Sequence, residues 1–455
     1  MDPVILARIQ FALTIGFHFL FPPITIGLAW LLVIVETRAW RTRDPRWERI
    51  GQFFAKLLAL TFAVGVATGV VMEFQFGTNW GEYSKYVGDI FGAPLAAEGI
   101  FAFFMESTFI GLYIFGRDKV SKGVHWFSAL MIAVGSTLSA FWILVANSWQ
   151  QTPAGFTPGD GRVELASFSE AVFNPSMWPR FFHTIDAALI AGAFFMSGIA
   201  AYFLWRRRGP GDDGPHSEAG LARTTLVLGL VFGFIASLLE LMPFGHWHAQ
   251  QVAQTQPAKF AAIEGLYTST DSAPMVLFGI PDAGQPPKLL FPVEIDGLLS
   301  WLAFGDEEHP VQGLDQFPKD ETPPLWLTFV SFHNMVVLGM YFIFITGLGL
   351  VLLWRRKLFT SRWYLKLLTL SIPLPLAACQ LGWITAEVGR QPWAVYGLLR
   401  TADAVSVTVT AGEILASIIM FSLVYLCLGG LYLFILVREV RHGFPGPAPA
   451  PKEGG

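Results

Sequence analysis

Cysteine is nearly missing: the chain has 455 residues and only Cys379 and Cys427, each inside an apolar run. That excludes a disulfide framework, and no metal-ligand spacing joins the pair, so zinc and iron–sulfur sites are excluded as well. Charge is scarce too. Lys, Arg, Asp and Glu make up 14% of the chain, where a soluble domain carries roughly a quarter. The net charge of −4 is spread over the connections without a basic stripe, which argues against nucleic acid as a partner. Internal repeats are absent, and so are the paired histidines within apolar runs that a haem–copper centre would need. Hydrophobic residues fill the space, at 53% of the chain and a mean hydropathy of +0.50. This chain belongs in a lipid bilayer.

A span needs about 20 apolar residues. Nine runs qualify, at roughly 8–36, 53–77, 94–116, 124–148, 180–205, 222–243, 325–354, 362–386 and 405–437. The expected fold is an all-α integral membrane protein with nine transmembrane helices. The first run is too long for a cleaved leader, contains Pro22-Pro23 and lacks a small-residue cleavage site. Basic clusters at 38–49, 116–123, 205–209, 354–357 and 438–442 follow the odd-numbered spans. All fall on one side, so the positive-inside rule puts the amino terminus outside and the carboxyl terminus in the cytoplasm. Arg8 is a lone charge against that orientation.

The chain then divides into 1–243 with six spans, an outward segment 244–324, 325–437 with three spans, and a tail 438–455 expected to be disordered. Segment 244–324 is proline-rich and too long for an idle loop. Within it KFAAIEGLY (259–267) predicts a short helix carrying Lys259 and Glu264 near one face. The stretches 78–93, 149–179 and 387–404 are the other outward loops.

Ionisable groups inside spans are expensive and usually face a cavity, a partner or a cofactor. His18 sits in the first span with no ionisable neighbour between Arg8 and Glu36. It is either hydrogen-bonded to another span or an axial haem ligand. His183, at the start of the fifth span, reads equally as an interfacial residue. Met335 in SFHNMVVLG is packing material or half of a His–Met haem ligand pair, with His333 as its rival. Glu98 and Glu106 lie eight residues apart in the third span. One buried carboxylate can serve as a structural acceptor, but two in succession suggest a proton relay. WITAEVGRQPW (383–393) closes the eighth span with Glu387 and Arg390 three residues apart, a surface ion pair or a carboxylate that holds something. With odd spans running outside to inside, His18, Glu98, His183, Met335 and Glu387 share one leaflet.

RIQFALTIGFHFLFPPITIGL (8–28), GVATGVVMEFQFGTNW (65–80), VGDIFGAPLAAEGIFAFFMESTF (87–109), ANSWQQTP (146–153) and AEVGRQPW (386–393) resemble subunit I of cytochrome bd ubiquinol oxidase. The resemblance implies a terminal oxidase that oxidises quinol and reduces O2 to water, building a proton gradient without a pump. It implies a low-spin haem b held by His183 and Met335, and two high-spin haems, a b and a d or a further b. His18 and Glu387 would each hold one of the high-spin pair. Glu98 would stand beside a high-spin haem, Glu106 would carry protons toward it, Arg390 would serve as counter-charge, and Trp383 would pack or relay electrons. Lys259 and Glu264 match the family's quinol-binding loop, here of the short type. A subunit II, small single-helix accessory subunits and the bacterial inner membrane follow as surroundings. His333 stands where relatives often carry arginine, and Asp186 has no family role, being either a partner of His183 or a residue in interfacial water. An electron-relaying membrane cytochrome b and a cofactor-free secondary transporter are the rival readings. A relay does not need His18 and Glu387 as separate ligands, and a transporter does not explain the shared leaflet.

Overall fold

The computed structural model describes residues 2–207, 214–282, 284 and 287–446. Among these residues nine helical spans are long and apolar enough to cross a membrane, as the hydropathy runs require. Four of the nine are not single helices. The first is α1 (Pro3–His18) and α2 (Pro22–Thr42), followed by α3 (Pro45–Thr78). The third is α4 (Gly81–Ala97), a π-helical turn at Glu98–Phe103, and α5 (Phe104–Phe115). Next come α6 (Lys122–Gln151), the hairpin β1 (Phe156–Pro158) and β2 (Val163–Leu165), α7 (Phe168–Val172) and α8 (Met177–Arg206). The sixth span is α9 (Glu218–Leu239), a kink at Glu240–Gly245 and α10 (His246–Thr255). After α11 (Pro257–Glu264), β3 (Met275–Asp282), β4 (Lys288–Ile295) and α12 (Leu298–Phe304) comes α13 (Leu325–Trp354). The eighth span is α14 (Arg362–Leu370) and α15 (Leu374–Val388). Then follow β5 (Trp393–Val395), β6 (Leu399–Arg400) and α16 (Ala411–His442).

The breaks have local causes, and they put polar groups in place. Pro22 and Pro23 have no amide hydrogen for the helix ladder, so α1 stops short of them, the chain leaves helical geometry at Phe19 (ψ 2°), and His18 becomes its last residue. Pro243 has the same effect in the sixth span, where Met242 leaves helical geometry at φ −141°. Pro94 precedes the turn that carries Glu98. Isolated π-turns of this kind gather at functional sites. The proline of PLP (373–375) opens α15, the helix that ends at Glu387.

The core runs through α2, α3, α8, α9, α13 and α14. At its centre α2 and α8 cross with Gly27 against Gly192. A Cβ on Gly192 would lie 2.3 Å from the Gly27 carbonyl carbon, so only glycine lets these backbones meet. At the end where the basic clusters lie, Glu36 of α2 accepts hydrogen bonds from Tyr113 Oη (2.7 Å) and Arg117 Nη2 (2.9 Å). His125 Nδ1 stands 3.4 Å from its other oxygen.

Three expectations need correction. Residues 78–93 are not a loop, because α4 covers most of them and rests on Trp149 through Phe91. Segment 244–324 does not begin a loop at 244, because the sixth span continues to Thr255. The rest is ordered by α11, the β3–β4 hairpin and α12, and the expected short helix is α11. The tail does not begin at 438. Helix α16 continues to His442, and Phe444 packs between Phe53 and Phe203 with ring centroids 4.9 and 5.1 Å away. Residues 447–455 lie outside the described residues.

Candidate functional site

The polar groups gather at the end of the bundle that carries the three hairpins. Glu387, on the last turn of α15, has both oxygens engaged. Oε1 accepts from Asn147 Nδ2 at 3.0 Å and from Gln151 Nε2 at 3.4 Å, and Oε2 forms an ion pair with Arg390. A carboxylate offers about four lone pairs, so one on Oε2 remains for a ligand. Arg390 is buried and also donates to Gln150 Oε1 at 2.8 Å and to the Trp393 carbonyl at 3.2 Å. The pair at the end of the eighth span is therefore interior.

Lys259 approaches the same place from α11. Its Nζ donates to Gln151 Oε1 at 2.7 Å and to Gln256 Oε1 at 3.1 Å, which leaves the third ammonium hydrogen unused. Burial holds this lysine well below its ordinary pKa, and the nearby Arg180 guanidinium lowers it further. Glu264, five residues on at the end of α11, is also buried, and burial raises its carboxyl to about 8.

His18 lies at the α1 break, half-buried against α3. Its Nδ1 is 3.0 Å from Thr68 Oγ1, whose own hydrogen is directed to the carbonyls of Val64 (2.9 Å) and Gly65 (3.0 Å). Thr68 must then accept from His18, so Nδ1 carries the proton and Nε2 presents its lone pair. That is the tautomer of a metal-ligating histidine with its other nitrogen anchored. Trp383, one turn before Glu387, stacks on Phe19 with centroids 5.7 Å apart. It links the Glu387 helix to the residue after His18.

His183 of α8 faces the kink at Glu240–Gly245. Its Nδ1 is 3.1 Å from Glu240 Oε1 without hydrogen-bond alignment, and its ring lies 5.1 Å from that of His248. Met335 of α13 packs its sulfur against Gly382 of α15, where a Cβ would lie 2.9 Å away. Met335 is thus held on the α15 side and His183 on the α9–α10 side. The rival His333 has each nitrogen 3.0 Å from a carbonyl oxygen, of Phe329 and of Val276. Both of its ligand positions are occupied, and it ties β3 to α13. Asp186 is buried and does not face interfacial water; its carboxyl pairs with that of Glu240.

Glu98, on the π-turn, accepts from Ser139 Oγ at 2.7 Å, and Glu106 is buried against Gly135 of the same α6. The two carboxylates therefore line α6, whose last turn reaches Glu387. Sequence reasoning missed Asn147, Gln150, Gln151 and Arg180 as individual residues. The first three stand in ANSWQQTP, where polar side chains close an apolar span. Arg180 lies three residues before His183 in the same interfacial stretch.

These residues fit haem. His18 offers an anchored imidazole with a bare nitrogen, and Glu387 a half-buried carboxylate with a lone pair to spare. Arg180 Nε, His183 Nδ1 and His248 Nε2 are buried nitrogens without a hydrogen-bond partner among the described residues, and Asn147 Oδ1 is a buried acceptor without one. The guanidinium N–H of Arg180 suits a haem propionate, and imidazole and thioether suit iron.

Known proteins match the chain over nearly its whole length. The family described as cytochrome bd terminal oxidase subunit I matches residues 6–444. The chain is 40% identical over 453 residues to cytochrome bd ubiquinol oxidase subunit 1 of Bacillus subtilis strain 168, covering 97% of this chain and 94% of that one. It is 37% identical over 507 residues to cytochrome bd-II ubiquinol oxidase subunit 1 of Escherichia coli strain K12, covering 96% and 95%. The solved bd oxidase from Geobacillus thermodenitrificans superposes with a TM-score of 0.89 at 29% identity, covering 97% of this chain and 99% of that one.

Proposed function

The chain belongs to the cytochrome bd terminal oxidase subunit I family, and from that premise we propose how its residues divide the work. It is a multi-pass membrane subunit of a terminal quinol oxidase, carrying haem and working beside a subunit II. Bound haems supply electron transfer and the reduction of O2 to water, while the protein supplies position, proton paths and electrostatics.

His183 of α8 and Met335 of α13 hold a low-spin haem b. His18 and Glu387 each hold one of two high-spin haems, a b and a d or a second b. Arg390 keeps Glu387 ionised and oriented. Trp383, stacked on Phe19, packs between the two ligand helices. Lys259 directs its unused hydrogen to a quinol oxygen, and Glu264 accepts a proton from the quinol hydroxyl. Glu106 and Glu98 hold protons bound for the oxygen-reducing side. The hairpin end faces outward and the basic end faces the cytoplasm, so protons released at Glu264 and protons consumed through Glu106 come from opposite sides. Charge is then separated without a pump. Small single-helix subunits complete the assembly.

The observation that carries the reading is the hydrogen-bonded connection between Lys259, Gln151 and Glu387, which joins a helix outside the spans to a carboxylate inside them. The purified complex is expected to show reduced-minus-oxidised haem bands and to consume O2 with a quinol donor. A colourless preparation from haem-replete cells would sink the reading. Haem bands without O2 consumption would favour the electron-relay rival.

A further inference from the structure

Gln151, the last residue of α6, is fully buried and uses both ends of its amide. Oε1 accepts from Lys259 Nζ at 2.7 Å, and Nε2 faces the Ala386 carbonyl at 3.3 Å and Glu387 Oε1 at 3.4 Å. The neighbours fix this orientation. A carbonyl and a carboxylate only accept, so the amide nitrogen must face them and the oxygen is left for the lysine. The two halves also differ in strength, because 2.7 Å is a short, tight bond and 3.4 Å lies at the long limit. Glu387 Oε1 has a firmer donor in Asn147 at 3.0 Å. The Gln151–Glu387 contact is thus the one that gives way when Lys259 moves.

We propose that Gln151 is a positioning residue that couples occupancy of the quinol site on α11 to the electrostatic surroundings of the Glu387 carboxylate. The inference rests on the reading above, in which Lys259 meets quinol and Glu387 holds a haem. A quinol oxygen that takes a hydrogen bond from Lys259 draws Nζ away from Gln151. The amide then shifts, and the donor it presents to Glu387 shifts with it. Neither Gln150 nor Asn147 can substitute, since Gln150 is occupied by Arg390 and Tyr83, and Asn147 bonds Glu387 rather than the lysine.

Coupling between two sites is reciprocal: if the state of one changes affinity at the other, the reverse change has the same factor. The test is therefore a pair of dissociation constants in the intact complex. A redox-inert alkyl hydroxyquinoline N-oxide serves as probe, measured against the oxidised and the fully reduced enzyme, with visible spectra as a second readout. In wild type the two constants are expected to differ about fivefold or more, and the probe is expected to shift the haem bands. In Gln151→Leu the ratio falls to about one and the band shift disappears, while both haem content and probe binding persist. Should Gln151→Leu fail to assemble, Gln151→Asn keeps a polar side chain but is too short to reach both Lys259 and Glu387, and should give the same collapse. A ratio of one in a coloured wild-type enzyme overturns the proposal, as does a ratio in Gln151→Leu or Gln151→Asn equal to that of wild type. A colourless wild type instead overturns the functional reading itself.

Discussion

A methyl group on Gly389 would lie 2.9 Å from Lys259 Cε and 2.4 Å from the Thr385 carbonyl oxygen. The glycine of GRQPW is there so that the lysine stem of α11 can lie across the end of α15. Gly389→Ala must push Lys259 away or distort the Glu387 turn, and overpacking of this kind costs about 1–3 kcal/mol. If the displacement falls on Lys259, quinol KM rises about tenfold, while the Met335-side haem signal stays as in wild type. Steady-state O2 consumption against quinol concentration measures it, and an unchanged KM would show that the position of Lys259 is not used.

Thr68→Val keeps the shape of the side chain and removes the acceptor that fixes His18. Loss of such an anchor typically costs about 10–100-fold in metal affinity. The variant should lose one high-spin haem on dilution or detergent exchange and keep the low-spin bands. Retention of the full haem complement after exchange would argue against His18 as a ligand.

Met335 and His333 separate by spectroscopy. His183→Ala should abolish the low-spin signal, and Met335→Leu should convert that haem to a high-spin spectrum. His333→Gln, which removes a tie to β3 and no ligand, should leave the low-spin band in place. Loss of that band in His333→Gln alone would reverse the assignment.

Glu264 sets a pH dependence. Burial holds its carboxyl at about 8, so at lower pH it is mostly protonated and cannot accept the quinol proton. Quinol oxidation should therefore rise as pH climbs through about 8, by about tenfold between pH 7 and pH 9. Glu264→Gln should be slow and flat over that range. A wild-type profile that is flat across it would remove Glu264 from proton acceptance.

Glu36 tests stability rather than chemistry. Replacing it by leucine strands Arg117 and His125 beside a buried position, and breaking a buried pair costs about 3–5 kcal/mol. Thermal unfolding should shift downward with the haem spectrum unchanged. An unshifted transition would mean that the cluster is already solvated.

Hydropathy made the nine spans legible, because length and apolarity are what a bilayer demands. The Glu387–Arg390 pair stood out as charge where charge is costly, whereas Lys259 and Glu264 stood out through the short helix of KFAAIEGLY and the resemblance of that stretch to the family's quinol-binding loop. The breaks at His18, Glu98 and Glu240 were not legible, since a window average passes over a single distorted turn. Nor was α4, whose glycines and polar residues read as a loop until its packing on Trp149 is known. Gln150 and Gln151 look alike in sequence. Only the tertiary arrangement sends one amide to Arg390 and the next to Lys259, because consecutive helix positions point about 100° apart. Asp186 needed its partner Glu240, fifty-four residues away in sequence, before it had a place at all.

Phe444 has a consequence for how the molecule comes into being. Its ring seals the groove between Phe53 and Phe203, two positions synthesised long before it. Since chains emerge amino end first, that groove stays open on the ribosome until Phe444 itself has been made. A truncation that removes Phe444 would leave the space between Phe53 and Phe203 unfilled in every finished copy.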